Sequence, residues 1–211
     1  LGHEPAGCVE QVGEEVSYLK PGDHVISCLS VFCGTCDQCT TGHPNLCSDT
    51  EVKMMPGVAR RYSWKGQPVY QFQNLSSFAE QMLVHENALV KVDRDIPMDI
   101  GALVGCGVVT GVGAVFVAAK VEAGSTVAVL GCGGIGLSAI NGAAVAGASR
   151  VIAIDTVSSK LDIAREMGAT DTINASNVDA VEAVKELTGG GVHYSFEAIG
   201  AKKTAEQSFQ M

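Results

Sequence analysis

Val127-Ala128-Val129-Leu130-Gly131-Cys132-Gly133-Gly134-Ile135-Gly136-Leu137 is the stretch that decides the fold. Its four leading apolar residues predict a buried parallel strand, and Gly131, Gly133 and Gly136 follow at G-x-G-x-x-G spacing. In such a turn the first glycine permits the sharp reversal and the second lets a pyrophosphate approach the backbone. The third lets helix and strand pack closely. The helix that follows points its first N–H groups at the phosphates. Gly131, Cys132, Gly133, Gly134, Ile135 and Gly136 are thus expected to hold a dinucleotide. The spacing alone is weak evidence, because glycine-rich turns also arise for steric reasons. Context strengthens it: a second apolar run, 151–154, ends at Asp155, nineteen residues after Gly136. A carboxylate there accepts hydrogen bonds from the adenosine ribose and repels a 2′-phosphate, which favours NAD over NADP.

Working outward, residues from 126 onward alternate strand and helix, which specifies a parallel sheet. Helices are expected over 134–145, 158–167 and 177–187, and strands over 151–155, 171–174 and 194–199. Leu161, Ala164 and Met167 mark one buried helical face, and Val178, Val181, Val184 and Leu187 another. Before 126 the chain reads differently. Short strands are expected over 8–12, 24–29, 78–84 and 88–92, a long surface loop over 50–73, and one or two helices over 97–119. Four sheet strands are visible where a doubly wound domain carries six. The sequence therefore reads as an internal fragment with a further helix only begun at Met211.

The bulk properties narrow the function. With 46% apolar and 18% charged residues, the 211-residue chain has material for a real core. A net charge of −9 leaves no basic stripe for nucleic acid or an anionic membrane. The uncharged run 100–119 is long enough to span a bilayer but rich in glycine and poor in large apolar residues, so a buried soluble helix is expected. The opening residues show no leader pattern, and eight cysteines then point to metal or catalytic use in a reducing, cytoplasmic setting.

Four of those cysteines, Cys33, Cys36, Cys39 and Cys47, fall within fifteen residues. Closely spaced thiolates of this kind match a closed tetrahedral zinc site, which leaves no open position and is structural. The seven-residue gap before Cys47, with Ser48 after it, differs from the bacterial ferredoxin run. His3 and Cys106 are the other candidates. Gly2-His3-Glu4 sets an imidazole beside a carboxylate, and Gly105-Cys106-Gly107 is expected to set a thiol at a helix start, where the macrodipole favours thiolate. Spacing alone does not pair them.

Taken together, the segments 2–13, 33–47, 105–113 and 131–137 resemble the zinc-dependent medium-chain alcohol dehydrogenases. The resemblance runs from Gly2 to about Gln210. It implies a mainly-β GroES-like catalytic domain over 1–119, followed by a Rossmann-type NAD-binding domain over 120–211. It further implies that His3 and Cys106 ligate a catalytic zinc with Glu4 behind it. Thr110 is implied near the nicotinamide, Asp155 and Lys160 at the adenosine ribose, and Ile199 beside the adenosine. The implied activity is hydride transfer from a primary or secondary alcohol to NAD, giving an aldehyde or ketone, in a homodimer or homotetramer. A third zinc ligand and the proton relay are expected upstream of Leu1, so the chain alone is expected to be inactive. Two alternatives stand beside this reading: a thiol-conjugate-dependent formaldehyde dehydrogenase of the same family, and a non-catalytic zinc- and nucleotide-binding module. Tyr62-Ser63-Trp64-Lys65-Gly66 has the general look of the former, with no residue assignable to the conjugate.

Overall fold

The computed structural model describes all residues, 1–211, and divides them into two compact units, Leu1–Cys106 and Gly107–Met211. The division falls inside the helical run 98–119, whereas the sequence reading set its domain boundary after that run.

In the first unit, β1 (Ala6–Cys8), β2 (His24–Ser27) and β5 (Leu89–Val92) form an antiparallel sheet in the order β1-β2-β5. Residues Gly7 and Val25 face each other, as do Ile26 and Val90. Asp23 is buried just before β2. Its carboxylate meets Lys91 Nζ at 2.8 Å and accepts the Lys20 N–H, which satisfies a charge otherwise expensive to bury. A short helix, α1 (Asp37–Thr40), lies within the cysteine segment, and a hairpin of β3 (Tyr62–Trp64) and β4 (Gln67–Val69) lies in the stretch expected to be loop. The small core here is Val31, Leu75 and Ala88. Two strand expectations fail. Residues 78–84 form no strand, with Phe78 84% exposed. The first strand starts and ends earlier than 8–12, leaving Cys8 exposed at its end.

The helical run begins with α2 (Met98–Leu103), continues through a wide turn at Val104–Val108 into α3 (Val109–Gly113), and ends with a second wide turn at Ala114–Ala119. Its length and apolarity would suffice for a membrane span, and only 22% of it is buried, so the burial expected of it is not met; Gly105 and Gly111 nevertheless approach neighbouring backbone closely. A Cβ on Gly105 would stand 2.1 Å from the carbonyl oxygen of Ser27.

The second unit is a four-stranded parallel sheet. Its strands are β6 (Thr126–Leu130), β7 (Arg150–Asp155), β8 (Asp171–Asn174) and β9 (Tyr194–Glu197), in the order β8-β7-β6-β9. That order reverses direction beside β6, the switch point where open α/β sheets place their ligands. Strand residues alternate between two cores, which is why β6 is apolar from Val127 to Leu130. Val127, Val129, Val151 and Ala153 pack with residues of α4 (Gly134–Val145) and α5 (Ser158–Glu166). Ala128, Leu130, Ile152 and Ile154 pack on the other side with α6 (Ala180–Thr188). Each fully buried valine or leucine contributes about 1.5–3 kcal/mol. The last helix, α7 (Lys202–Gln210), is nine residues long rather than a bare start.

Two helical faces are narrower than expected. Val181 and Val184 are buried, but α6 starts at Ala180, so Val178 lies outside it and is 53% exposed, and Leu187 is 40% exposed. On α5, Leu161 and Ala164 face the core, while Met167 is 40% exposed.

Candidate active site and metal centre

The cysteine segment folds around its own sulfur atoms. The Sγ atoms of Cys33, Cys36, Cys39 and Cys47 all lie within 4.8 Å of one another. Cys36 to Cys39 is 3.5 Å, while Cys33 to Cys39 and Cys36 to Cys47 are each 3.9 Å. A zinc tetrahedron with Zn–S bonds of about 2.3 Å has S···S edges of about 3.8 Å, so the donor set fits that ion. Backbone N–H groups are aimed at the sulfurs: those of Thr35 and Cys36 donate to Cys33, and that of Cys33 donates to Cys47. The Ser48 N–H, followed by that of Cys39, holds the Cys36 thiol down at about 5. Burial, with the neighbouring thiols, pushes Cys39 up to about 11. Four thiolates this close repel one another, and a cation is what lets all of them ionise.

His3 and Cys106, 103 residues apart, do come together: Nε2 to Sγ is 3.3 Å, with both side chains half-buried. Two ligands on one tetrahedral zinc would stand about 3.5 Å apart, so the pair suits a shared ion. His3 is braced by Phe72, whose ring meets it edge-on at 5.9 Å. Glu4 follows His3 and is half-buried. The expected helix-start setting for Cys106 is wrong. Helix begins eight residues earlier at Met98, and Cys106 sits in the wide turn Val104–Val108. The macrodipole argument therefore falls, and the turn's role is to present the thiol sideways toward His3. Thr110 belongs to α3, in the second unit.

The glycine-rich turn is built as its spacing predicts. Gly131 has φ of +95°, open to glycine, and a Cβ there would meet Ile199 at 2.6 Å. A Cβ on Gly136 would stand 1.8 Å from the Gly131 carbonyl oxygen, so helix and turn touch backbone to backbone. By contrast, Gly133 and Gly134 have nothing within 4 Å of an added Cβ. Gly133 is also the N-cap of α4 and supplies no side-chain cap. Unfilled space before uncapped N–H groups fits a pyrophosphate. Cys132 enters through its backbone only; its side chain is 2% exposed and packed in the core.

The turn opens onto a cleft of about 520 Å³ lined by Asp155, Lys160, Val178, Ile199 and Lys203 among others. Asp155 Oδ2 accepts the Cys132 N–H at 2.8 Å, and Oδ1 accepts the Val157 N–H at 3.0 Å. Burial raises the Asp155 pKa, but these two N–H groups and Lys160 outweigh it and hold the carboxyl below its ordinary value. Glu197 accepts the N–H groups of Ile199 and Gly200 and the Thr204 hydroxyl, which fixes the loop carrying Ile199.

One feature escaped the sequence reading. Residues 53–79 carry Lys53, Arg60, Arg61 and Lys65 and no acid, in a chain of net charge −9. Three of these cations line a cleft of about 320 Å³ with Tyr70. Arg60 stacks on Tyr70 at 4.1 Å and donates to the Met54 carbonyl at 2.6 Å. The signal was there as charge segregation, hidden by the lack of any hydrophobic period.

Comparison with known proteins agrees with both halves of this geometry. Residues 1–97 match the alcohol dehydrogenase GroES-like domain, and residues 134–211 match the zinc-binding dehydrogenase model. The rice (Oryza sativa subsp. japonica) protein named alcohol dehydrogenase class-3 is 45% identical over 207 residues, covering 95% of this chain and 54% of the relative. An S-(hydroxymethyl)glutathione dehydrogenase of Photobacterium damsela subsp. piscicida is 46% identical over 206 residues, covering 95% and 56%. Among solved structures, benzyl alcohol dehydrogenase from Acinetobacter calcoaceticus has a TM-score of 0.87 at 39% identity, covering 100% of this chain and 58% of its own. The fold and the cysteine and glycine motifs are those of the GroES-like and zinc-binding dehydrogenase domains. The chain belongs to the zinc-dependent medium-chain alcohol dehydrogenase family. It spans a little over half the length of the relatives it matches.

Proposed function

We propose that this chain carries the metal- and cofactor-binding residues of an NAD-dependent alcohol dehydrogenase. The observation that carries the reading is the meeting of His3 and Cys106 at 3.3 Å across 103 residues of chain. In this reading 1–119 is the GroES-like catalytic portion and 120–211 the nucleotide-binding portion. Cys33, Cys36, Cys39 and Cys47 hold a structural zinc that pins their segment. His3 and Cys106 hold a catalytic zinc, with Glu4 tuning their field. A zinc ion there supplies Lewis acidity toward a hydroxyl oxygen, and NAD supplies the hydride acceptor.

The chain's own residues do the positioning. Gly131 to Gly136 seat the pyrophosphate against the α4 N–H groups, including those reached through Cys132, Gly134 and Ile135. Asp155 accepts from the ribose hydroxyls, Lys160 donates to them, and Ile199 covers the adenosine. Thr110 is assigned to the nicotinamide end. A catalytic zinc takes three protein ligands, and this chain brings two together. By itself it is therefore expected to turn over no alcohol. The eight cysteines, all free, suit a cytoplasmic compartment, and a homodimer or homotetramer is proposed from the family.

Alcohol-dependent NAD reduction by a longer protein that contains this chain and supplies the third zinc ligand, with and without a zinc chelator, tests the reading. Activity abolished by the chelator is expected; no reduction with any alcohol would contradict it and favour a non-catalytic module.

A second substrate reading has its own support. The cleft of Lys53, Arg60 and Arg61 suits the carboxylates of an S-hydroxymethyl conjugate of an anionic thiol. Relatives named S-(hydroxymethyl)glutathione dehydrogenase add to that support. Comparing the conjugate with simple alcohols in the same assay separates the two.

A further inference from the structure

Residues 72–78 fold back on the start of the chain and touch it twice. At one end the Phe72 ring meets the His3 imidazole edge-on at 5.9 Å. At the other, the Ser77 N–H donates to the Gly2 carbonyl at 3.0 Å and the Phe78 N–H to that of Leu1 at 3.1 Å. The two segments lie so close that a Cβ on Gly2 would stand 2.4 Å from the Ser77 hydroxyl. One short segment thus holds both the backbone leading into His3 and the His3 ring.

So tight a return forces unusual backbone. Of the six non-glycine residues with positive φ, three are Gln73 (+54°), Asn74 (+59°) and Ser76 (+54°). Side chains rarely tolerate that region, and a cluster of such residues persists only where its surroundings over-determine it. Here they do. The Ser76 hydroxyl oxygen accepts the Phe72 N–H at 2.7 Å, and the N–H groups of Leu75 and Ser76 both donate to the Phe72 carbonyl at 3.0 Å. The Asn74 amide donates to the Lys53 carbonyl, and the Gln71 amide to the carbonyls of Asn74 and Leu83. Leu75, 1% exposed, anchors the turn in the small core with Val31 and Ala88. Phe72 itself is 43% exposed, so burial of its ring does not account for these constraints. What they fix is its orientation, with both its backbone groups bonded and its ring set against His3.

Resting on the reading of His3 as a zinc ligand, we propose that the strained 72–76 turn positions that ligand: Phe72 sets the plane of the imidazole, and Ser76 holds Phe72. An imidazole binds a metal only while its ring keeps the lone pair aimed, so the groups that orient the ring govern how firmly the metal is kept. Neither residue touches the metal; both are positioning residues.

Two measurements test this. In the 211-residue chain, proton NMR follows the rings of the five histidines, with His3 assigned by its loss in His3→Gln. Phe72→Leu and Ser76→Gly are each expected to move the His3 ring signals and leave the other four in place, and Phe72→Tyr should keep them near the parent's. Ser76→Gly gives up one hydrogen bond but relieves one left-handed residue, contributions of similar size, so it should melt within about 3 °C of the parent. In a longer protein that contains this chain and supplies the third zinc ligand, Phe72→Leu and Ser76→Gly should speed loss of the catalytic zinc to a chelator about tenfold. Phe72→Tyr should stay within about twofold of the parent, and zinc at the four cysteines should be unaffected by all three. The proposal is overturned if Ser76→Gly leaves the His3 signals in place, or if every variant keeps the catalytic zinc equally well. A large fall in melting temperature in Phe72→Leu or Ser76→Gly would assign the turn to stability instead and overturn it too. If the unaltered longer protein holds zinc only at the four cysteines, the reading of His3 fails and takes the proposal with it.

Discussion

The backbone N–H of Cys132 donates to Asp155 Oδ2 at 2.8 Å, so the carboxylate that ends β7 also fastens the turn that ends β6. Asp155 therefore shapes the glycine-rich turn before any cofactor arrives. Replacing it with alanine removes two backbone hydrogen bonds as well as the ribose acceptor. Asp155→Ala should lower unfolding free energy by about 1–2 kcal/mol, read by urea denaturation. The same variant should weaken NAD binding at least tenfold. Unchanged stability would mean that the turn holds itself.

Two glycines of the motif should respond in opposite ways. Gly136→Ala puts a methyl 1.8 Å from the Gly131 carbonyl oxygen, and backbone rather than a flexible side chain would have to move. A loss of about 3 kcal/mol or more is expected, from overpacking at a fixed contact. Gly133→Ala meets nothing in the protein and has ordinary backbone angles. It should melt within a degree or two of the parent yet lose most NAD affinity, because the methyl fills the pyrophosphate's space. Thermal melts and titration calorimetry on the two variants read both outcomes.

Acid should destabilise the chain through three carboxyl groups. The hydrogen bond from Lys91 holds Asp23 down. At Asp155 and Glu197 burial pushes upward, but hydrogen bonds outweigh it, and both end below their ordinary values. A carboxyl lowered in the folded state gives stability that is complete above its unfolded pKa, near 4. That stability is lost as pH falls through the lower, folded value. Stability contributed by these groups should be flat from pH 7 to about 5 and decline below about 4, and Asp23→Asn should flatten part of the decline. Urea midpoints at several pH values would show it.

Arg61 lines the basic cleft without the backbone bond and ring stacking that occupy Arg60. If anionic thiol conjugates are the substrate, Arg61→Ala in the native protein should raise KM for the conjugate about tenfold or more and leave KM for a small neutral alcohol within about twofold. Equal effects on both substrates would remove the cleft from substrate binding.

The second unit was legible because its physics is local. Each residue from Val127 to Leu130 is buried on one sheet face or the other, so this part of β6 reads as strand without help. Helix 134–145 and strand 171–174 agree with the structure to the residue. Asp155 was found by its distance from the glycines, but its bond to Cys132 depends on how two strand ends meet, which no spacing encodes. The first unit was less legible because it draws little on periodic burial. Phe78 to Val84 has strand-like residues yet joins no sheet, and the hairpin at 62–69 is exposed at every paired position. Cys106 was chosen correctly for the wrong reason: its setting is a wide turn inside a helical run, visible only once Gly105 is seen against Ser27. The cysteine cluster was legible because four ligands lie within one short segment, whereas His3 and Cys106 needed the family resemblance to be paired.

The most direct test of the account is zinc per chain, measured by elemental analysis after exhaustive dialysis of the purified 211-residue protein and of its Cys36→Ser variant. At least one tightly held zinc is expected in the parent, with one fewer in the variant. No zinc in the parent, or the same amount after Cys36→Ser, would contradict the assignment of Cys33, Cys36, Cys39 and Cys47 as a zinc site.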